Sequence, residues 1–315
     1  MRIDYFVVDI PMNTAPNRSN KVGRFFLTAR RAFNVLQGND PLRMAGATAF
    51  FTTFALPPIM IILFQLFSLF LSKRSVGSEI MEVLTSTLGT EGANQLRQTT
   101  RGLRTLAQTW WLAILGFIFL LFIATTLFMV IRNTINDIWE IRLKKRRSFL
   151  FTLKVRMQSA LFIVVTGVLF VIFVGIEAAQ AVAGDYIAEL SDTAGFVFRL
   201  VFSQVTAILV VTGWFIILFR FIADARPPWR VVIAGGMLTG ILFFAGKSGL
   251  SVLLREGNVA TVYGASGAIV LVLLFVFYSS FILYYGASFI KAYADMRKLS
   301  LQPGSRATTY RLTDA

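Results

Sequence analysis

From position 46 onward the chain alternates long apolar blocks with short, polar and mostly basic connections. The blocks cover residues 46–71, 109–131, 157–179, 196–219, 231–254 and 264–290. A bilayer core of roughly 30 Å takes about 20 mostly apolar residues per crossing when they are helical. In lipid the backbone must also satisfy its own hydrogen bonds, which a helix does within one segment. The pattern therefore predicts an all-α, polytopic transmembrane helical bundle of about six spans. Connections between the last three blocks are too short for an independent domain. One membrane domain, residues 46–290, is expected, between an N-terminal arm, 1–45, and a tail, 291–315.

Outside the blocks the periodicity changes. Over Lys21–Gln37, the residues Val22, Phe25, Phe26, Ala29, Phe33 and Leu36 follow a helical stripe, with Lys21, Arg24, Thr28 and Arg31 opposite. Such a segment lies in the membrane interface, as an anchor or as a gate or docking helix. Gly38-Asn39-Asp40-Pro41 then turns the chain toward the first span. In the long loop 72–108, Ile80, Val83, Leu84 and Leu88, and then Leu96, Leu103 and Leu106, recur at helical spacing around Gly89 and Gly92. Two short amphipathic helices on the outer surface are expected there. The apolar stretch 5–12 is short and carries Asp9, so it does not read as a cleavable signal, and the first span is expected to direct insertion.

Composition agrees with a membrane protein: 56% hydrophobic residues, 15% charged and a mean hydropathy of +0.69. The net charge of +15 is unevenly placed. Basic residues crowd the N-terminal arm, the run Arg142, Lys144, Lys145, Arg146 and Arg147, the loop with Arg220, Arg226 and Arg230, and the tail. Alternate loops are poor in them. Lys and Arg near helix ends stay cytoplasmic, so both termini are expected on the cytoplasmic side. That distribution also suits anionic lipid headgroups as partners at the cytoplasmic face, and it does not suit a nucleic-acid groove. With no cysteine and no histidine, thiol chemistry, the commonest general base and the usual metal ligands are missing. Gly246-Lys247-Ser248 lacks the upstream glycine spacing of a phosphate loop. No catalytic residue, cofactor or metal site is assigned.

Polar and helix-breaking residues inside the spans are the candidate chemistry. Pro57 and Pro58 are expected to interrupt the first span, because each lacks a backbone donor. A charge within the hydrocarbon seldom persists without a partner or water. Lys247, Glu177, Arg199, Gln204, Tyr263 and Ser266 all fall in the outer half of the predicted spans. They either form one polar pocket, or Glu177 and Arg199 pair at the interface while Lys247 snorkels. Gly236 with Gly240, and Gly264 with Ala268, form small-xxx-small steps that predict close packing of the fifth helix on the sixth. In the loop Asp224, Arg226, Trp229 and Arg230, stiffened by two prolines, Asp224 is expected to pair with Arg226 or a neighbouring basic loop. This loop reads as a structural clamp or as a headgroup site.

Several of these stretches together resemble the YihY/virulence factor BrkB family of bacterial inner-membrane proteins, from about Arg43 to Ala294. In the first span the resemblance rests on Ala47-Thr48-Ala49-Phe50-Phe51-Thr52-Thr53-Phe54-Ala55-Leu56-Pro57-Pro58, and after the second on 131–139, an Asn-containing stretch ending in Ile-Trp. The strongest match is Arg220-Phe221-Ile222-Ala223-Asp224-Ala225-Arg226-Pro227-Pro228-Trp229-Arg230. Val262-Tyr263-Gly264-Ala265-Ser266-Gly267, Phe277-Tyr278-Ser279-Ser280 and Tyr285-Gly286-Ala287-Ser288-Phe289 follow. Ala223 stands where the family usually has proline, and Ser288 where it typically has glutamate, which weakens any mechanism that needs a carboxylate there. A ribonuclease activity, once attached to the family, has no chemical support in this sequence. The resemblance itself implies no settled activity. Six spans, a broken first helix and the polar residues of the outer half point to a transporter or flippase of a lipid or amphipathic envelope component, not an enzyme. The alternative is a non-transporting scaffold for envelope integrity that works through its basic face.

Overall fold

The computed structural model describes residues 21–67, 110–143, 192–256, 267–303 and 307–309, with isolated helical positions between 81 and 98 and between 157 and 187. In chain order these residues form α1 (Lys21–Gln37), α2 (Pro41–Phe67), α3 (Trp110–Ile138), β1 (Ile141–Leu143), α4 (Asp192–Phe221), β2 (Ala225–Arg226), α5 (Trp229–Glu256), α6 (Gly267–Met296), β3 (Gln302–Pro303) and β4 (Ala307–Thr309). The architecture is mostly helical. Among the described residues, three helices contain windows long and apolar enough to cross a membrane by length and composition: Gln204–Phe221, Trp229–Gly249 and Val272–Met296. Most of the loop 72–108 and about half of the block 157–179 lie outside the described residues.

The apolar blocks form helices because they are long runs of Leu, Ile, Phe, Val and Ala. The Thr and Ser among them, such as Thr52 and Ser280, return their protons to the carbonyl one turn back. Proline departs from this pattern at one place. Pro57 and Pro58 do not interrupt α2, which continues to Phe67. The expected break is therefore corrected. Two prolines remove two ladder donors, those that would serve the carbonyls of Thr53 and Phe54. The apolar residues on either side still gain their full set of bonds as helix, so the loss stays local.

α6 is the hub of the bundle and packs against α1, α2, α3 and α5, while α4 packs on α5 and α2 on α3. The largest fully buried side chains, Trp139, Tyr284, Phe219 and Phe289, lie in the half of the bundle nearest the C-terminal end of α6. Elsewhere the outside is apolar: Phe119 and Phe122 on α3, Leu209 on α4 and Ile241 on α5 are exposed, as a lipid-facing surface requires.

Glycines set the helix spacing, but not as the small-residue steps predict. A Cβ on Gly236 would overlap Ile216, and one on Gly240 would overlap the Thr212 hydroxyl, both on α4. Gly236 and Gly240 thus seat α5 on α4, which corrects their expected role toward the sixth helix. The α5–α6 contact uses Gly235 against Ile290, Gly246 against the Tyr278 ring and Gly286 against Thr239. α5 carries small residues on two faces, and spacing alone does not say which face meets which neighbour. Gly264 lies outside the described residues. Gly240→Leu is expected to wedge α4 from α5 and cost about 1–3 kcal/mol, the usual range for overpacking. A lowered unfolding midpoint in detergent is the readout.

Four short strands close one end of the bundle. β1 pairs antiparallel with β4 (Ile141 with Thr309, Leu143 with Ala307), and β2 with β3 (Ala225 with Pro303, Arg226 with Gln302). The segment after α6 therefore stitches the α3 end to the α4–α5 turn. α1 docks on the C-terminal part of α6 at the same end, with Thr28, Ala32 and Leu36 buried. Thr28 was expected on the polar side of α1. Instead its hydroxyl bonds the Arg24 carbonyl (2.7 Å) and approaches the Met296 sulfur (3.1 Å). The described residues nearest the two termini thus share one end of the bundle.

Candidate functional site

At the stitched end, Asp224 is the centre of a polar knot. It follows α4 in the turn before β2, while Arg132 and Asn136 stand one helical turn apart on α3. Arg132 grips the carboxylate with two donors, Nε to Oδ2 at 3.1 Å and Nη2 to Oδ1. Asn136 Nδ2 donates to Oδ2 at 2.7 Å, and its own Oδ1 accepts from the Asp224 amide at 2.9 Å. Both ionic side chains are about 85% buried, with exposures of 15% and 14%. A fork-on-carboxylate pair with every partner placed is the strong form of ion pair. Of the two expected partners of Asp224, Arg226 and a neighbouring basic loop, the second is met: Arg132 opens the basic stretch that follows the second apolar block, and Asn136 joins it. Arg226 fails because β2 pairing directs it outward, where it is exposed.

The same turn is held from α4. Arg220 donates to the Pro227 carbonyl, and its guanidinium lies 5.0 Å from the centre of the half-exposed Trp229 ring. Arg230 is exposed beside it. Beneath this layer, Trp139 Nε1 donates to the Ala287 carbonyl at 2.9 Å, and Lys291 pairs with Glu140 at 2.8 Å. Glu140 adopts a left-handed φ of 55°, which ends α3 and turns the chain into β1. Ser288 is fully buried and bonds the Tyr284 carbonyl at 2.9 Å.

Further into the bundle lies a cavity of about 560 Å³, walled by α2 through α6 and by Thr166 and Leu169 of the segment 157–187. Most of the wall is apolar, with Leu127, Val211, Phe215 and Phe243 among it. Its polar groups are Thr48 and Thr52 on α2, Ser279 and Ser280 on α6, the Trp214 indole bonded to Thr166, and one cation, Lys247 on α5. The hydroxyl protons are largely committed. Thr52 donates to the Thr48 carbonyl (2.7 Å), Ser279 to that of Phe275 (2.8 Å) and Ser280 to that of Val276 (2.7 Å). Thr48 reaches both the Met44 carbonyl (3.0 Å) and the Tyr284 hydroxyl. A hydroxyl has one proton, so toward a guest these groups act as acceptors. Lys247 supplies donors and the charge. Among the described residues no carboxylate is paired with it.

Of the six residues expected to form a polar pocket, Lys247 lines this cavity and Gln204 does not. The α4 wall reaches Ala207, a turn short of Gln204, which is exposed. Arg199 lies on α4, where only its backbone is described; Glu177, Tyr263 and Ser266 lie outside the described residues. Two tethers join the segment 157–187 to α4: Gln180 to Thr206 (2.7 Å) and Trp214 to Thr166 (3.2 Å). Neither the tethers nor the hydroxyl set stands out from hydropathy alone. Thr48, Thr52, Ser279 and Ser280 do fall inside the motif stretches, and that was the signal available for them.

The sequence profile of the virulence factor BrkB family matches residues 32–309, which takes in the knot, the stitched strands and the whole cavity wall. The chain belongs to that family. This BrkB-family chain is 27% identical over 247 residues to a UPF0761 membrane protein of Pseudomonas paraeruginosa, covering 77% of the present chain and 57% of the relative. It is 25% identical over 276 residues to one of Saccharophagus degradans (87% and 60%), and 23% identical over 263 residues to one of Mannheimia succiniciproducens (83% and 87%). Against the first two, the BrkB-family chain spans about three-fifths of the relative's length. No solved structure matches it. The present protein is thus a membrane protein of the BrkB and UPF0761 type.

Proposed function

We propose that this BrkB-family protein moves an amphipathic envelope component, a lipid or a lipid-like anion, through the bundle. The observation that carries the reading is the mostly apolar cavity of about 560 Å³ with Lys247 as the charged group on its wall. Cavities of roughly 300–1,000 Å³ suit a small-molecule body. An apolar wall takes the chain of an amphipath, and an ammonium takes its anionic end. In this reading the stitched, basic end faces the cytoplasm of a bacterial inner-membrane protein, where Lys and Arg are retained. Basic residues such as Arg226 and Arg230 would then draw anionic headgroups to the inner rim.

The test is translocation in liposomes that contain the purified protein and labelled anionic or zwitterionic phospholipids. Protein-dependent movement of the anionic probe is expected, and Thr52→Trp, which fills the cavity beside α2, should slow it by at least about tenfold, a change of roughly 1.4 kcal/mol in barrier. Movement unaffected by Thr52→Trp would remove the cavity from the path. No movement of any probe, with or without a gradient, would favour a scaffold that works through its basic face.

A further inference from the structure

A second recess lies on the flank of the bundle, where α1 leans across α5 and α6, and it shares no residue with the central cavity. It holds about 440 Å³. Its floor is Phe289 of α6, fully buried and in tilted contact with Phe25 of α1 at 5.8 Å between ring centres. Its side wall is α5, from Ala234 through Met237 to Ile241. Met237 and Ile241 are more than half exposed, so the slot opens sideways toward lipid. Seven helical rises from Ala234 to Ile241 make this wall about 10 Å long. That is roughly two-thirds of one leaflet's share of a 30 Å hydrocarbon core.

The slot is apolar along its length and cationic at one end. Arg24, near the start of α1, and Arg297, just past the end of α6, both border it. The Arg297 guanidinium lies 5.4 Å from the centre of the Tyr293 ring, which stacks on Phe289 at 6.0 Å. These contacts hold one cation over the mouth. Among the described residues neither arginine has a carboxylate partner. Both lie at the stitched end of the bundle, where the apolar window of α6 ends at Met296.

We propose that this flank slot binds one anionic glycerophospholipid of the surrounding leaflet, with its phosphate between Arg24 and Arg297 and an acyl chain along α5. Guanidinium forks match phosphate oxygens in charge and geometry. Basic pockets between helices at this depth are the general form of anionic-lipid sites. The bound lipid fills the gap that α1 leaves over α5, so it acts as mortar between the arm and the bundle. The inference stands whether or not the central cavity moves a cargo.

The test is native mass spectrometry of protein released from nanodiscs of equal phosphatidylglycerol and phosphatidylcholine. The wild type is expected to retain one phosphatidylglycerol. Arg24→Gln with Arg297→Gln should lower that occupancy by about tenfold or more, given roughly 1 kcal/mol per arginine near a lipid headgroup. Met237→Trp, which blocks the chain slot without touching charge, should do the same. Arg30→Gln with Arg31→Gln, exposed arginines of α1 that do not border the slot, should retain the lipid. Equal loss in that control, or equal retention of phosphatidylcholine, would overturn the proposal. So would a lipid-free dimer that Met237→Trp dissociates, since a second copy would then be the occupant. If the variant at Arg24 and Arg297 does not fold, Met237→Trp against the Arg30/Arg31 control decides.

Discussion

Asp224→Ala is expected to lower the stability of this protein by about 3–5 kcal/mol, the usual cost of removing one partner from a buried ion pair. The loss exceeds that of an exposed salt bridge because of what stays behind. Without the carboxylate, Arg132 keeps its charge in a site that is mostly closed to water, and the Asn136 amide loses an acceptor. A shift in the unfolding midpoint in detergent measures the effect. Arg132→Met with Asp224→Leu removes both charges together and should recover most of the loss. Asn136→Ala alone should cost nearer 1 kcal/mol, the ordinary value of a hydrogen bond. If the double substitution is as damaging as Asp224→Ala, the knot does more than neutralise its own charges.

Lys247→Met is expected to separate folding from function. Lys247 lies about 27 Å along α5 from Trp229, close to the far edge of a 30 Å core. A lysine at the centre of a span costs on the order of 3 kcal/mol to insert, and less toward the edge. Replacing it with an apolar side chain of similar length therefore leaves stability unchanged or raised. Translocation of an anionic amphipath should fall by at least about tenfold, because the cavity loses its charged donor. Lys247→Arg should keep part of the activity, as charge is preserved while shape is not. Full transport by Lys247→Met would show that the ammonium merely snorkels.

The helices that are described and their approximate limits are legible in the sequence, as is the crowding of basic charge, because hydropathy and positive charge act locally. Asp224 and Trp229 could be picked out from their loop. The partner of Asp224 could be placed only as far as a neighbouring basic loop, and naming Arg132 within it, 92 positions away, is a choice made by tertiary packing. Gly236 and Gly240 are similar: the spacing says that something packs closely, and only the fold says that it is α4. Thr28 fails for a different reason. A threonine in a helix can return its proton to the backbone and behave as an apolar surface, so its letter class misplaces it on the α1 wheel. The continuation of α2 past Pro57 and Pro58 shows that a missing donor costs local bonds without ending a strongly apolar helix. The tail strands carry no alternating pattern, and they exist only because two loop edges are presented to them.

Those strands bear on the order in which the molecule is completed. Residues 302–309 leave the ribosome after α6, yet they pair with loops made far earlier, at 141–143 and 225–226. Until they arrive, the ends of α3 and α4 lack the partner strands that join them. Nascent chains halted just after α6 should therefore carry inserted helices with an unsealed end, open to proteases that the finished protein resists.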